Sequence, residues 1–270
     1  MLSKFVLKGK TIIVTGAASG LGQELAFRFL DRGANLLVID KNLKGLEKLK
    51  NQYSEEQVEI IEFDLSNTEK IEERFGDLFK KKQDTLFGLI NCAAEEHDGF
   101  FDDIPIDALQ RNIQVNYWAP VILSRIVTPI LKEKQEGMIV NVISDMSYRT
   151  VPGRLAYSAS KAALKSFSEC IRQELRPYGV DGISIFPGVM NTSFWETITT
   201  YPRMVPPPPD RRKRQTAITA ADFIMKSLDK GKIVIRQFNL LKLFLLFDAI
   251  FPIIGDKIIY KGAQIEESNL

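Results

Sequence analysis

A chain of 270 residues with 45% hydrophobic content can bury one large core, and its 36 Lys and Arg against 34 Asp and Glu leave a formal charge of only +2. That balance excludes the one-sided basic footprint of a nucleic-acid binder. A single histidine and two cysteines that share no metal-ligand spacing argue against a zinc or other metal site.

Cys92 and Cys170 read as reduced thiols of a cytoplasmic protein, and residues 1–10 carry lysines without the apolar core of a secretory signal. In chain order, short β-branched runs at 11–15, 35–40, 58–62, 86–90, 138–143, 182–186 and 232–236 read as strands. They alternate with segments at 21–31, 43–51, 68–82, 107–134, 157–177 and 216–229 whose apolar residues recur every three or four positions. Strands separated by helices pair in parallel, so the expected fold is α/β: a Rossmann-type doubly wound parallel sheet of about seven strands flanked by helices. Residues 1–237 form that single domain, with a lid loop at 190–215 that holds Pro206 to Pro209 and a basic run through Arg214. Residues 238–270 are an apolar extension of the same domain. The apolar stretch at 238–254 is broken by Asn239, Lys242, Asp248 and Pro252, and falls short of the roughly 20 residues a membrane span needs.

Two motifs carry chemistry. Thr15-Gly16-Ala17-Ala18-Ser19-Gly20-Leu21-Gly22 follows the first strand and opens the first helix, so backbone there can approach a pyrophosphate and helix amides can bind it. Asp40, at the end of the second strand, can accept hydrogen bonds from both adenosine ribose hydroxyls. Its charge repels a 2′-phosphate by an energy on the order of several kcal/mol before screening. NAD(H) is therefore favoured over NADP(H), although Lys41 offsets part of the repulsion and Asp40 could instead cap the helix near Asn42. Further on, Tyr157 and Lys161 are four apart at the start of a helical segment and share one face. Lowering a phenol by two or three pKa units needs about 3–4 kcal/mol, which Lys161 and a nicotinamide cation would supply.

Three residues separate the first two glycines of the turn, and this form resembles the short-chain dehydrogenase/reductase superfamily. Ser144, Tyr157 and Lys161 match that superfamily's Ser-Tyr-Lys pattern, and Asn116 matches its fourth catalytic member. The resemblance runs from Leu7 to about Arg236. It implies that Tyr157 is the general acid or base, that Ser144 hydrogen-bonds the substrate oxygen, and that Lys161 holds the nicotinamide ribose and biases Tyr157 toward phenolate. Asn116 would hold a water linking Lys161 to solvent, unless it is a buried polar residue satisfied by helix carbonyls.

The resemblance also assigns a cofactor path. Gly16, Ser19, Gly20, Leu21 and Gly22 take the pyrophosphate and Asp40 the ribose. Asp64 and Leu65 take the adenine, unless Asp64 only caps a turn. Asn91-Cys92-Ala93-Ala94 resembles the N-N-A-G wall segment, with Cys92 and Ala94 as departures and with Asn91 and Ala93 matching. Pro187, Gly188, Val189 and Thr192 match the segment that contacts the nicotinamide carboxamide. The implied activity is NAD(P)(H)-dependent interconversion of a secondary alcohol and a ketone, in a homodimer or homotetramer. The alternative is a silent dinucleotide-binding sensor or scaffold, against which the intact Ser144, Tyr157 and Lys161 argue.

Substrate choice is expected to depend on 95–104, 145–155 and 190–215. Phe100, Phe101, Phe194, Trp195 and Tyr201 there favour a hydrophobic substrate, lipid-, steroid- or retinoid-like. His97 is expected as a solvated loop histidine, and Asp145 is given no role. In the tail, Leu240, Leu241, Leu243, Phe244, Leu245, Leu246 and Phe247 need a dry partner. A subunit interface, a substrate-channel wall and a peripheral membrane contact through 238–260 are the three readings.

Overall fold

The computed structural model describes residues 7–54, 56–200, 214–237, 244–245, 247–248 and 250–262. Tyr201, the proline run, Arg211 to Lys213, and Leu240, Leu241, Leu243 and Leu246 lie outside the described residues, as does the Trp195 side chain.

The helical and extended segments alternate as the periodicity predicts: β1 (Thr11–Thr15), α1 (Gly20–Leu30), β2 (Asn35–Asp40), α2 (Leu43–Lys50), β3 (Val58–Glu62), α3 (Ile71–Lys81), β4 (Leu86–Asn91) and α4 (Ile106–Ile113). Then come α5 (Ala119–Lys134), β5 (Gly137–Val142), α6 (Leu155–Leu175), β6 (Val180–Phe186), α7 (Ala217–Asp229), β7 (Val234–Arg236) and α8 (Pro252–Gly262). The seven strands form one all-parallel sheet in the order β7-β6-β5-β4-β1-β2-β3. The order reverses between β1 and β4, and that switch point opens a crevice beyond the carboxyl ends of the strands.

Every residue of β1, β4 and β5 is buried, as a sheet covered on both faces requires. Alternate side chains divide the core into two layers. Ile12, Val14 and Val38 pack with Leu25 and Phe29 of α1 and Ile224 of α7. Ile13, Leu37 and Leu89 pack with Phe75 and Phe79 of α3 and Leu123 and Val127 of α5.

The helix expected over 107–134 is interrupted. Between α4 and α5 lies a π-helical turn, Gln114–Trp118, centred on Asn116. Pro120 has no N–H to give the Asn116 carbonyl four residues back, so the regular ladder cannot continue through this point. The loop after β6 is pinned at both ends by short parallel ladders: Met190–Asn191 against Gln215–Thr216, and Thr199–Thr200 against His97–Asp98. No helix among the described residues is long and apolar enough to cross a membrane.

Candidate active site

The glycine turn sits at the switch point, and at Gly16 and Gly22 it has no room for a side chain. Gly16 and Gly20 adopt φ of +69° and +57°, which L-residues with a Cβ rarely tolerate. A methyl at Gly16 would lie 2.7 Å from the Ala93 backbone. The Thr15 hydroxyl accepts from the amides of Cys92 (3.1 Å) and Ala93 (3.2 Å), joining the ends of β1 and β4 beneath the cleft. Ser19 makes no side-chain cap bond and the first turn of α1 carries no acid, so the positive end of the helix is left for a ligand anion. This cradle fits a dinucleotide pyrophosphate: bare backbone, positive φ and a helix N-terminus on one wall.

The other adenosine-side residues are more committed to the protein than sequence reasoning shows. Asp40 lines the cleft while accepting from Ala18 N (3.1 Å) and Asn42 N (2.9 Å), and α2 is capped by Asn42, whose side chain accepts from Gly45 N. Lys41, the expected offset to Asp40, pairs instead with Glu95 at 3.4 Å. Asp64 accepts from Ser66 N (2.9 Å) and Arg111 (3.0 Å), and Arg111 also donates to Glu95 at 2.6 Å. Burial opposes ionisation of Asp64, but the Ser66 and Arg111 bonds outweigh it and hold the carboxyl below its ordinary range. Leu65 is buried beside it.

At the other end of the same cleft, which encloses about 400 Å³, Ser144, Tyr157 and Lys161 converge. Ser144 stands just past β5 and lines the cleft beside Tyr157, its hydroxyl accepting from Met146 N at 3.2 Å. Lys161, one turn along α6, is fully buried and donates to the Val142 carbonyl at 3.0 Å, with its Nζ 5.7 Å from the centre of the Tyr157 ring. Burial lowers the Lys161 ammonium to about 8 despite the opposing charges of Cys92 and Glu96. Burial first, and the nearby Glu96 second, push the Tyr157 phenol above its ordinary value, opposed by Ser144.

Asn116 is wholly buried. Its side chain accepts from Glu95 N (2.9 Å) and donates to Glu95 O (2.8 Å) and Ser160 Oγ (2.9 Å). It clamps the segment after β4 to α6, so its side chain is satisfied by backbone and Ser160, outside its own helix. Pro187, Gly188, Val189 and Thr192 line the nicotinamide end, and Ala93 lines the middle. Asn91 is not among the lining residues: it donates to Asn141 Oδ1 (2.8 Å) and is buried under the sheet end.

Val142, Ile143, Glu96 and Arg154 line the cleft without having been singled out from sequence. The first two were findable, because they end a central strand on the ligand side. His97 is buried rather than solvated, and its ring contacts Glu95 at 3.1 Å. Asp145 faces the cleft near Arg236 (3.6 Å), with burial holding its carboxyl above the usual range.

Comparison with known proteins agrees with this geometry. Residues 10–202 match the short chain dehydrogenase family model. The chain is 32% identical over 201 residues to dehydrogenase/reductase SDR family member 7B of Mus musculus, covering 71% of this chain and 61% of that protein. It is 30% identical to an uncharacterised oxidoreductase of Staphylococcus aureus (strain USA300), over 70% of this chain and 81% of that one. Among solved structures, 4-hydroxyisoleucine dehydrogenase complexed with NADH superposes at TM-score 0.64 with 32% identity, over 69% of this chain and 76% of that chain. A short-chain dehydrogenase from Streptomyces avermitilis shares the fold at TM-score 0.79 and 23% identity, over 94% and 98% of the two chains. The matched residues 10–202 include every residue that lines the cleft, and the chain belongs to the short chain dehydrogenase family.

Proposed function

We propose that the protein is an NAD(H)-dependent oxidoreductase that interconverts a secondary alcohol and a ketone. The observation that carries the reading is the convergence of Ser144, Tyr157 and Lys161, the last two one helical turn apart, in the cleft that begins at the glycine cradle. A nicotinamide dinucleotide supplies or accepts the hydride when bound, and a structure solved with NADH, 4-hydroxyisoleucine dehydrogenase, supports that class of cofactor. Gly16, Gly20 and Gly22 admit its pyrophosphate, and Asp40 faces its ribose end. The Asp40 carboxylate, with Lys41 drawn away to Glu95, favours NAD over NADP.

In reduction, Tyr157 delivers its proton to the carbonyl oxygen, and Ser144 donates to the same oxygen as alkoxide charge develops. Lys161 uses one of its three donors on Val142 and keeps the others for ribose hydroxyls. In oxidation the same groups run in reverse.

A hydrophobic substrate is supported by a second groove of about 1100 Å³, lined by Phe100, Phe101, Leu155 and by Ile254 and Ile258 of α8. Arg149 anchors α8 there through an ion pair to Asp256, and pairs with Asp248 ahead of that helix at 3.3 Å. Ile250, Phe251 and Ile253 on the outer side are exposed and suit contact with a lipid surface that supplies such a substrate.

Initial rates with NAD and NADP across primary, secondary, steroidal and long-chain alcohols test the reading. Turnover with NAD that rises with chain length and collapses in Tyr157→Phe supports it; undiminished turnover in Tyr157→Phe overturns the catalytic assignment.

A further inference from the structure

The turn that carries Ser144 is tied to the end of the chain by charged contacts that the reaction as described does not use. Ser144 is locked to the short 3-10 helix Asp145–Ser147: its hydroxyl accepts from Met146 N at 3.2 Å, and its carbonyl accepts from Ser147 N (3.1 Å) and Ser147 Oγ (2.6 Å). The next amide, Tyr148 N, donates to Asp145 O at 3.1 Å. Ser144 therefore moves with residues 145–148 as one unit.

Two arginines join that unit to residues at or beyond β7. Arg236, the last residue of β7, has a side chain only 9% exposed. Its guanidinium lies against two rings, 4.3 Å from the centre of Tyr148 and 4.5 Å from that of Phe186, and its Nε is 3.6 Å from Asp145 Oδ1. A planar guanidinium stacked in this way fixes its neighbours more firmly than a flexible ammonium would. Arg149, next along the loop, pairs with Asp256 of α8 and, at 3.3 Å, with Asp248. Asp248 lies against α8 itself: a methyl at Gly255 would fall 1.8 Å from its Oδ1, so glycine there makes room for the carboxylate. Asp256 is exposed, whereas the side chains of Arg149 and Asp248 are 24% and 14% exposed, so Asp248 is the less screened partner.

We propose that the chain from Arg236 to α8 is a strap that positions Ser144, with Arg236 and Arg149 as its positioning residues. The inference rests on the oxidoreductase reading, in which Ser144 donates to the substrate oxygen, and gives the C-terminal extension a part in that step. A displaced turn carries the Ser144 hydroxyl away from the place where alkoxide charge develops, and stabilisation of that charge depends on preset geometry. Neither arginine lines the cofactor cleft, so cofactor affinity is left unchanged. Arg149 also borders the second groove, whereas Arg236 borders neither cavity, so an Arg236 variant reads positioning alone.

The test measures kcat with NADH and a ketone that the wild type turns over, for Arg149→Ala and Arg236→Met, each alone and combined with Ser144→Ala. NADH affinity by fluorescence titration and hydrogen exchange of the 144–149 peptide are read on the same proteins. Each arginine variant is expected to lower kcat about 10-fold and to speed exchange in the turn about 10-fold, with NADH affinity within about twofold of wild type. In the Ser144→Ala background neither substitution lowers kcat further, since the arginines act through that hydroxyl. Should Arg236→Met not fold, Arg236→Lys, which keeps the charge and loses the planar stack, is expected to show the same pattern. Wild-type kcat in either arginine variant, or an equal loss with and without Ser144, overturns the proposal and leaves the oxidoreductase reading standing. If no ketone turns over, that reading fails, and exchange decides the strap by itself: faster exchange in the turn supports it and wild-type exchange overturns it.

Discussion

Replacing Gly22 by alanine probes the cradle through backbone geometry alone. The added methyl would sit 2.1 Å from the Gly16 carbonyl oxygen and 2.8 Å from its carbon, about 1.3 Å inside the 3.4 Å at which contact becomes ordinary. Both offending atoms are backbone, so no side chain can swing aside; either the start of α1 or the glycine turn must move. Overpacking of this kind costs about 1–3 kcal/mol, which lowers Tm by about 2–12 °C in a domain near this size. The moved amides are the ones left for the cofactor phosphates. Losing one charge-assisted bond costs about 1.5–3 kcal/mol, or about 10- to 150-fold in Kd for NADH. Nicotinamide fluorescence titration and thermal melts read both effects. Gly76→Ala is the internal control: a methyl there meets nothing within 4 Å, in the body of α3, and should stabilise by about 0.5–1 kcal/mol with unchanged NADH affinity. Wild-type Tm and NADH affinity in Gly22→Ala would refute the reasoning.

Tyr157→Phe should lower kcat by about 100- to 10,000-fold while NADH still binds, read by steady-state rates beside the fluorescence titration. Asp40→Ser should shift the cofactor ratio toward NADP, read as the change in kcat/KM for the two cofactors. It should also cost about 1 kcal/mol, since the carboxylate holds the Ala18 and Asn42 amides; an unchanged ratio counts against Asp40 as the discriminator. The Glu96 carboxyl is raised above its ordinary value, so the native state holds its proton more tightly than the unfolded chain. The resulting stability is complete below the unfolded pKa and is lost as pH rises through the folded one. Wild type should therefore lose Tm relative to Glu96→Gln between about pH 5 and about pH 9, and a parallel pair of curves would contradict that.

The strands and the glycine turn could be read in advance because their signals are local. A strand buried on both faces must be apolar along its whole length, as in β1 and β4, and a turn that admits a pyrophosphate must be glycine at close-approach positions such as Gly16. Tyr157 and Lys161 were equally visible, since four residues on a helix is a fixed displacement. The break at Asn116 was not read, although Pro120 was there to signal it.

What periodicity could not reach is whatever depends on segments meeting across the sheet. Glu96 and Arg154 are 58 positions apart and Arg111 and Asp64 are 47 apart, and nothing in either neighbourhood marks the other. The same holds for the burial of His97, for Asn91 turning to Asn141 instead of the cleft, and for the direction of the Tyr157 shift. Each is set by how much water the packed cleft excludes and which charges it brings within reach. The sequence by itself determined the strands, the cradle and the reacting groups, because each follows from residue type and short spacing. The tertiary structure decided the surroundings of those groups, their burial and the charged residues that line the cleft with them, because desolvation and charge pairing exist only once distant segments are packed together.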